Sequence, residues 1–321
     1  MGRDVLRIED LVVHYETMAG PVKAVNHVSF SIGEGEIFGL AGESGCGKTT
    51  IALSIMKLLP YNGKILSGRI LLGDVDVVLL TEEEMMEVRW KKVSMVFQGA
   101  MNALNPVLRV GDQIAEVLVE KEGWSKERAL ERAKELFSLV GIDPSRVYDY
   151  PHEFSGGMRQ RAIIAMALVL NPQLVIADEP VTALDVVVQS KILDLLKRLR
   201  DELGISVMMI THDLSVIAET SDRVGIMYAG RLVEHARAED LFGEPAHPYT
   251  KALINAFPSI VGERKRFEAI RGDPPNLLNP PPGCPFHPRC PYAMDVCREK
   301  VPKLVKVGEE HEAACFLIGG A

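Results

Sequence analysis

The chain has no hydrophobic run long enough to cross a bilayer. The longest, Ala162 to Ala177, is bounded by Arg161 and Asp178 and broken by Asn171-Pro172-Gln173. It falls short of the ~20 residues that a transmembrane helix needs. It reads as a buried helix, a turn and a buried strand, so the chain is expected not to cross a membrane itself. The opening Met1-Gly2-Arg3-Asp4-Val5 carries no apolar signal region, and Leu6 stands where a myristoylation site wants Ser or Thr. Basic excess is missing too. Lys and Arg number 36 against 44 Asp and Glu, a net charge of −8, which argues against broad nucleic-acid binding. Internal repeats are absent, and the one biased tract is proline-rich and lies near the end.

What is present is ordinary in bulk and specific in detail. The 321 residues are 47% hydrophobic and 25% charged, enough for a large core and more than one domain. Residues 5–14 and 25–32 alternate apolar and polar and read as half-buried strands. Glu36 to Ala41 is a short apolar strand, followed by a glycine-rich loop and a helix from Lys48 to Leu59 that Pro60 and Gly63 end. Residues 65–80 and Val93 to Gln98 read as further strands. From about 110 to 170 the period turns helical, with stripes such as Gln113, Ile114, Val117, Leu118 and Ala129, Ala133, Leu136, Val140. Strand-like runs return at 174–177, 205–210 and 223–228, with a helix near 186–203. Alternating strands and helices imply a mainly parallel sheet.

The glycine-rich loop, Gly42-Glu43-Ser44-Gly45-Cys46-Gly47-Lys48-Thr49, matches the phosphate-loop pattern in full, with Thr50 following. Its glycines let backbone N–H groups point inward around phosphate oxygens, and the helix N-terminus faces the same anion. Lys48 is expected to reach the β- and γ-phosphates and Thr49 to ligate Mg²⁺. Leu174-Val175-Ile176-Ala177-Asp178-Glu179 is the matching acidic strand end. Asp178 is expected to hold Mg²⁺, and Glu179 to orient or deprotonate the attacking water. Between them lies Phe154-Ser155-Gly156-Gly157-Met158-Arg159-Gln160, where Ser155 is a good N-cap and two glycines bring backbone close to an anion.

Together these motifs resemble the ATP-binding subunit of an ABC transporter over nearly all of the first 235 positions. Phe154 to Gln160 resembles the family's signature, with Phe where Leu is commonest. Gln98 resembles the Q-loop glutamine, a further Mg²⁺ contact. Ala183-Leu184-Asp185 resembles the D-loop, His212 the switch histidine that senses the γ-phosphate, and Tyr15 the aromatic that stacks on adenine. The resemblance implies an α/β fold: a P-loop NTPase cassette with a parallel-sheet core, an antiparallel β subdomain and an inserted helical subdomain. It also implies that two cassettes face head to tail. Gly42–Thr49 then binds this chain's own ATP, while Ser155, Gly156, Gly157 and Gln160 serve the partner's.

Further stretches narrow the likeness. Gly99-Ala100-Met101-Asn102-Ala103-Leu104-Asn105-Pro106, Ala246 to Leu253, Gly272 to Asn276 and Gly283 to Cys290 resemble the first ATPase subunit of dipeptide/oligopeptide importers. By that resemblance the partners are a second, related ATPase subunit in a heterodimer, two membrane permeases and, indirectly, an external substrate-binding protein. The place is the cytoplasmic face of the membrane. Oligosaccharide or nickel importers share the architecture and remain alternatives. So does an iron–sulfur redox sensor with a regulatory ATPase.

Prolines 274, 275, 280–282 and 285 exclude regular helix. They mark a small Pro/Cys-rich module over 257–321, after a nucleotide-binding domain over 1–256 whose helical insertion covers about 100–170. Cys46 lies in the glycine loop; the other cysteines follow as Cys284-x5-Cys290-x6-Cys297-x17-Cys315. Four clustered thiols in a cytosolic chain suggest a metal. Zinc prefers tighter knuckles. The wider spacing suits a [4Fe–4S] cluster, which some members of this importer family carry here. Zinc and unliganded thiols stay open, as do His287 and His311 as alternative ligands.

Overall fold

The computed structural model describes residues 3–256, 270 and 272–319. The expected boundary near 257 lies outside the described residues. The chain divides into two compact units, one built mainly from 80–208 and the other from 6–32, 36–79 and 209 onward.

The second unit holds an antiparallel sheet of β1 (Asp4–Thr17), β2 (Gly20–Gly33), β4 (Gly63–Leu72) and β5 (Val75–Asp76), in the order β2-β1-β4-β5. The alternation seen in the sequence has its physical counterpart here: Leu6, Ile8, Val25, Val28, Phe30 and Ile32 are buried. A bulge interrupts the β1–β4 register after Glu9. It needs Gly68, whose φ is 98° and whose absent side chain would stand 2.6 Å from the Asp10 carbonyl.

The same unit holds a second sheet. The wholly buried β3 (Ile37–Ala41) runs parallel to β9 (Arg223–Tyr228). A hairpin over Ala229 and Gly230, both at positive φ, leads to antiparallel β10 (Arg231–Arg237). The C-terminal strands continue this sheet: β12 (His311–Ala313) pairs with β10, and β11 (Val305–Gly308) with β12. These C-terminal strands therefore borrow an existing sheet instead of building their own.

After β3 come the glycine loop and α1 (Lys48–Ile55). The helix stops four residues before the expected Leu59. Lys57 takes the left-handed conformation at φ 53° and the Leu58 N–H returns to the Leu53 carbonyl, a C-terminal cap that needs no proline. Helices α7 (Leu214–Thr220), α8 (Ala238–Gly243), α9 (Pro248–Asn255), α10 (Asp295–Glu299) and α11 (Phe316–Gly319) belong to the same unit.

The first unit pairs β6 (Val93–Val96) in parallel with β7 (Leu174–Asp178), both buried throughout. Thr81 and Glu84 form a capping box at α2 (Glu82–Val88). The helical stretch expected from about 110 resolves into α3 (Val110–Glu122), α4 (Lys126–Leu139) and α5 (Gly156–Ala167), with α6 (Val186–Leu203) beyond β7. The division between units falls within β8 (Ser206–Thr211). No helix among the described residues is long and apolar enough to cross a membrane.

Candidate active site

The glycine loop leaves no room for a side chain at Gly42 or Gly47. Gly42, Gly45 and Gly47 have φ of 147°, 78° and 108°. A Cβ on Gly42 would lie 2.2 Å from the Met227 carbonyl oxygen, and one on Gly47 2.3 Å from that of Ala24. Those are backbone atoms of β9 and β2, which cannot step aside. The loop leads directly into the N-terminus of α1, with Gly47 as its N-cap, an arrangement that suits an anion.

Lys48 is buried and curls over the loop, donating from Nζ to the Gly42 carbonyl at 2.7 Å and the Glu43 carbonyl at 3.1 Å. Ser44 and Thr49 are exposed. Cys46 is buried, which pushes its thiol pKa up against the opposing pull of Lys48. Thr50 turns inward instead: its Oγ1 accepts from the Tyr15 hydroxyl at 3.2 Å. The half-buried Tyr15 ring also fits against Gly63, where a Cβ would approach it to 2.9 Å.

Glu43 is held at both ends. Its N–H donates to Tyr249 Oη at 3.0 Å. Its carboxylate accepts two bonds from the Arg289 guanidinium, at 2.6 and 2.9 Å. Sequence reading missed this pair, because the partners lie 246 residues apart. Both Tyr249 and Arg289 sit in the stretches that resemble importer subunits, and that is the one signal that could have found them. His212 is exposed just beyond β8.

The first unit carries the acidic strand end. Asp178 closes β7 and is buried. Glu179 follows at φ 48°, an uncommon conformation for a side-chain-bearing residue. Its Oε2 accepts from Gln98 Nε2 at 3.0 Å and from the Thr182 hydroxyl at 2.9 Å. Gln98 lies two residues beyond β6, so the parallel β6–β7 pairing brings these two expected site residues together. Asp185 caps α6 through Val188 N–H at 3.0 Å, and Ser155 caps α5 through Met158 N–H at 3.3 Å. Ser155 is exposed and Gly156 half-buried, but Gln160 is turned inward at 3% exposure. Gly157 faces a side chain: a Cβ there would meet Val188 Cγ1 at 2.6 Å.

The model for ABC transporters matches residues 25–182, and that for the C-terminal region of oligopeptide/dipeptide transporters matches 233–297. The dipeptide transport ATP-binding protein DppD of Bacillus subtilis is 46% identical over 316 residues, covering 98% of this chain and 94% of its own. The oligopeptide transport ATP-binding protein OppD of Salmonella typhimurium is 45% identical over 314 residues, covering 97% and 93%.

The chain belongs to the ABC transporter ATP-binding family. The fold agrees: the ATP-binding cassette MJ0796, in a dimeric post-hydrolysis state bound to ADP and Pi, superimposes with a TM-score of 0.65 at 28% identity. That match covers 73% of this chain and 98% of MJ0796. CbiO1 of Clostridium perfringens gives a TM-score of 0.66 at 27% identity over 75% and 92%.

In this ABC ATPase, Cys284, Cys290, Cys297 and Cys315 line one cavity with Phe286, Tyr292 and other apolar groups. Gly283, at φ 68°, lets two cysteine-bearing segments touch: a Cβ there would sit 2.4 Å from the Cys297 carbonyl oxygen, and Cys284 N–H bonds that carbonyl at 2.8 Å. Burial, and then the neighbouring thiols, push Cys284 up to about 11, and burial raises Cys290 and Cys315 as well. As placed, no group of three or more His, Cys, Asp or Glu side chains among the described residues stands ready to hold a metal ion. The histidines named as alternative ligands have other commitments. His311 Nε2 lies 2.8 Å from the fully buried Glu234, and His287 Nδ1 lies 2.9 Å from the Cys284 carbonyl.

Proposed function

We propose that this ABC ATPase binds Mg²⁺–ATP in the Gly42–Thr49 loop and hydrolyses it to drive import of di- or oligopeptides through partner permeases. The loop carries the reading, because its left-handed glycines and buried Lys48 precede a helix N-terminus, the parts a phosphate receptor needs. Exposed Thr49 stands at the first turn of α1, and with Asp178 and Gln98 it supplies oxygen donors of the kind Mg²⁺ takes. Bound there, Mg²⁺ would neutralise developing charge on the phosphates. Glu179 orients and deprotonates the attacking water, His212 contacts the terminal phosphate, and Tyr15 meets the base. Ser155, Gly156 and Gly157 close on the ATP of a second, related subunit, with Asp185 at the same interface. Gln160 completes the signature that serves the partner's ATP. The relatives' names favour peptides over oligosaccharide or nickel. The complex sits at the cytoplasmic face of the membrane, with the cassette over 1–256 and the extension over 257–321.

Glu179→Gln tests the assignment. In the assembled transporter it should leave ATP binding intact and lower turnover by about a hundredfold or more, the usual contribution of a general base. Wild-type turnover would remove Glu179 from that role.

The four-thiol cavity supports a [4Fe–4S] reading of the extension. The donors are of the right kind and converge from three chain segments. Four thiols are the ligand set that such a cluster takes. Equal amounts of iron and acid-labile sulfide in anaerobically purified protein would support the cluster; stoichiometric zinc without sulfide would replace it.

A further inference from the structure

Arg289 belongs to the C-terminal extension, yet its guanidinium ends on the phosphate loop. The bidentate pair with Glu43 is largely removed from water: the side chains are 6% and 23% exposed. Arg289 also donates to Tyr228 Oη at 3.3 Å. Tyr228 ends β9, and its neighbour Met227 supplies the carbonyl that forbids a side chain on Gly42. Arg289 therefore ties Glu43 to the strand that walls the loop.

Its own position is set from both sides. Phe286, three residues earlier, is buried against Tyr228 and Tyr249 at ring separations of 5.2 and 5.4 Å. Cys290, one residue later, enters the thiol cavity. A carboxylate in a triphosphate-binding loop is a liability unless its charge is matched. The fork geometry of arginine both matches it and fixes its direction.

We propose that Arg289 is a positioning residue for ATP: it neutralises Glu43 and holds the second residue of the phosphate loop, so that the loop's affinity depends on the extension being in place. This rests on the nucleotide reading of Gly42–Thr49.

The test is titration of the full-length chain with a fluorescent ATP analogue and Mg²⁺, together with ATPase kinetics of the assembled transporter. Arg289→Ala should raise the nucleotide Kd and the KM for ATP about tenfold, the scale of a lost charge-assisted pair, with a smaller change in kcat. Adding Glu43→Gln to Arg289→Ala removes the unmatched charge and should recover part of the affinity, a non-additive result. Arg289→Lys should fall between. Unchanged Kd in folded Arg289→Ala, or strictly additive effects, would overturn the proposal. Should Arg289→Ala not fold, Arg289→Lys alone decides: its Kd must rise with the fork geometry lost, and an unchanged value refutes the clamp. A wild-type chain that binds no ATP overturns both this proposal and the nucleotide reading.

Discussion

The two glycine-bearing turns of this protein look alike in sequence and differ in what constrains them. In the phosphate loop the space for a Cβ at Gly42 and Gly47 is taken by carbonyl oxygens, and φ lies on the positive side. In the Ser155 turn, Gly157 sits inside α5 without a positive φ, and what approaches it is the side chain of Val188. The first turn is shaped by neighbouring strands and held again by Tyr249 and Arg289. The second rests on a helix cap and one valine. A site that must receive a triphosphate needs its donors pre-aimed. On the proposed reading the Ser155 turn meets its nucleotide only when two subunits close, so a helix cap is enough to hold it in the single chain.

Substitution should expose the difference most strongly. Gly47→Ala places a Cβ against backbone in a left-handed conformation, and is expected to cost about 3 kcal/mol or more and to abolish nucleotide binding. Gly157→Ala lets Val188 rotate away and gains up to about 1 kcal/mol of helix propensity, so its melting temperature should stay near wild type while turnover in the paired complex falls. Equal thermal losses in the two variants would erase the contrast.

Acid gives a smaller, graded test of the loop's supports. His247, fully buried beside Phe286, is lowered to about 4 by desolvation from the ordinary 6.5. Its Nδ1 accepts the Tyr249 N–H at 3.0 Å, starting the helix that carries the Tyr249 hydroxyl to Glu43. Above pH 6.5 the ring is neutral folded or unfolded, and it costs nothing. Below that the unfolded chain takes up a proton that the folded chain refuses, so stability drains away between pH 6.5 and 4, by about 3 kcal/mol in all. His247→Asn keeps an acceptor for Tyr249 and carries no titrating ring. Melting curves at pH 7 and pH 5 should show a smaller acid loss for it than for wild type; the same loss would place the acid sensitivity elsewhere.

Much of the site was legible in the chain itself. The phosphate-loop glycines, Lys48 and Thr49 are consecutive, and their chemistry needs no distant partner to be recognised. The strand ending in Asp178-Glu179 was legible because its apolar run is continuous, and β6 because it leads straight to Gln98. Less visible was everything set by contacts across the sequence. Gln160 has the same neighbours in the chain whether it faces a partner or the core, and only packing turned it inward. Tyr15 resembled the aromatic that stacks on adenine, and nothing local showed that its hydroxyl donates to Thr50. The extension read as a proline-stiffened appendage, because strands as short as β11 and β12 acquire their form from β10.

By itself the sequence determined which chemistry this protein can attempt, since local spacing dictates where backbone N–H groups, a lysine and a carboxylate can converge. Only the tertiary structure decided how the phosphate loop is supported. Glu43 and Arg289 are brought within hydrogen-bonding distance by the burial of Phe286, Tyr228 and Tyr249 against one another. That is a packing result, which no local pattern encodes.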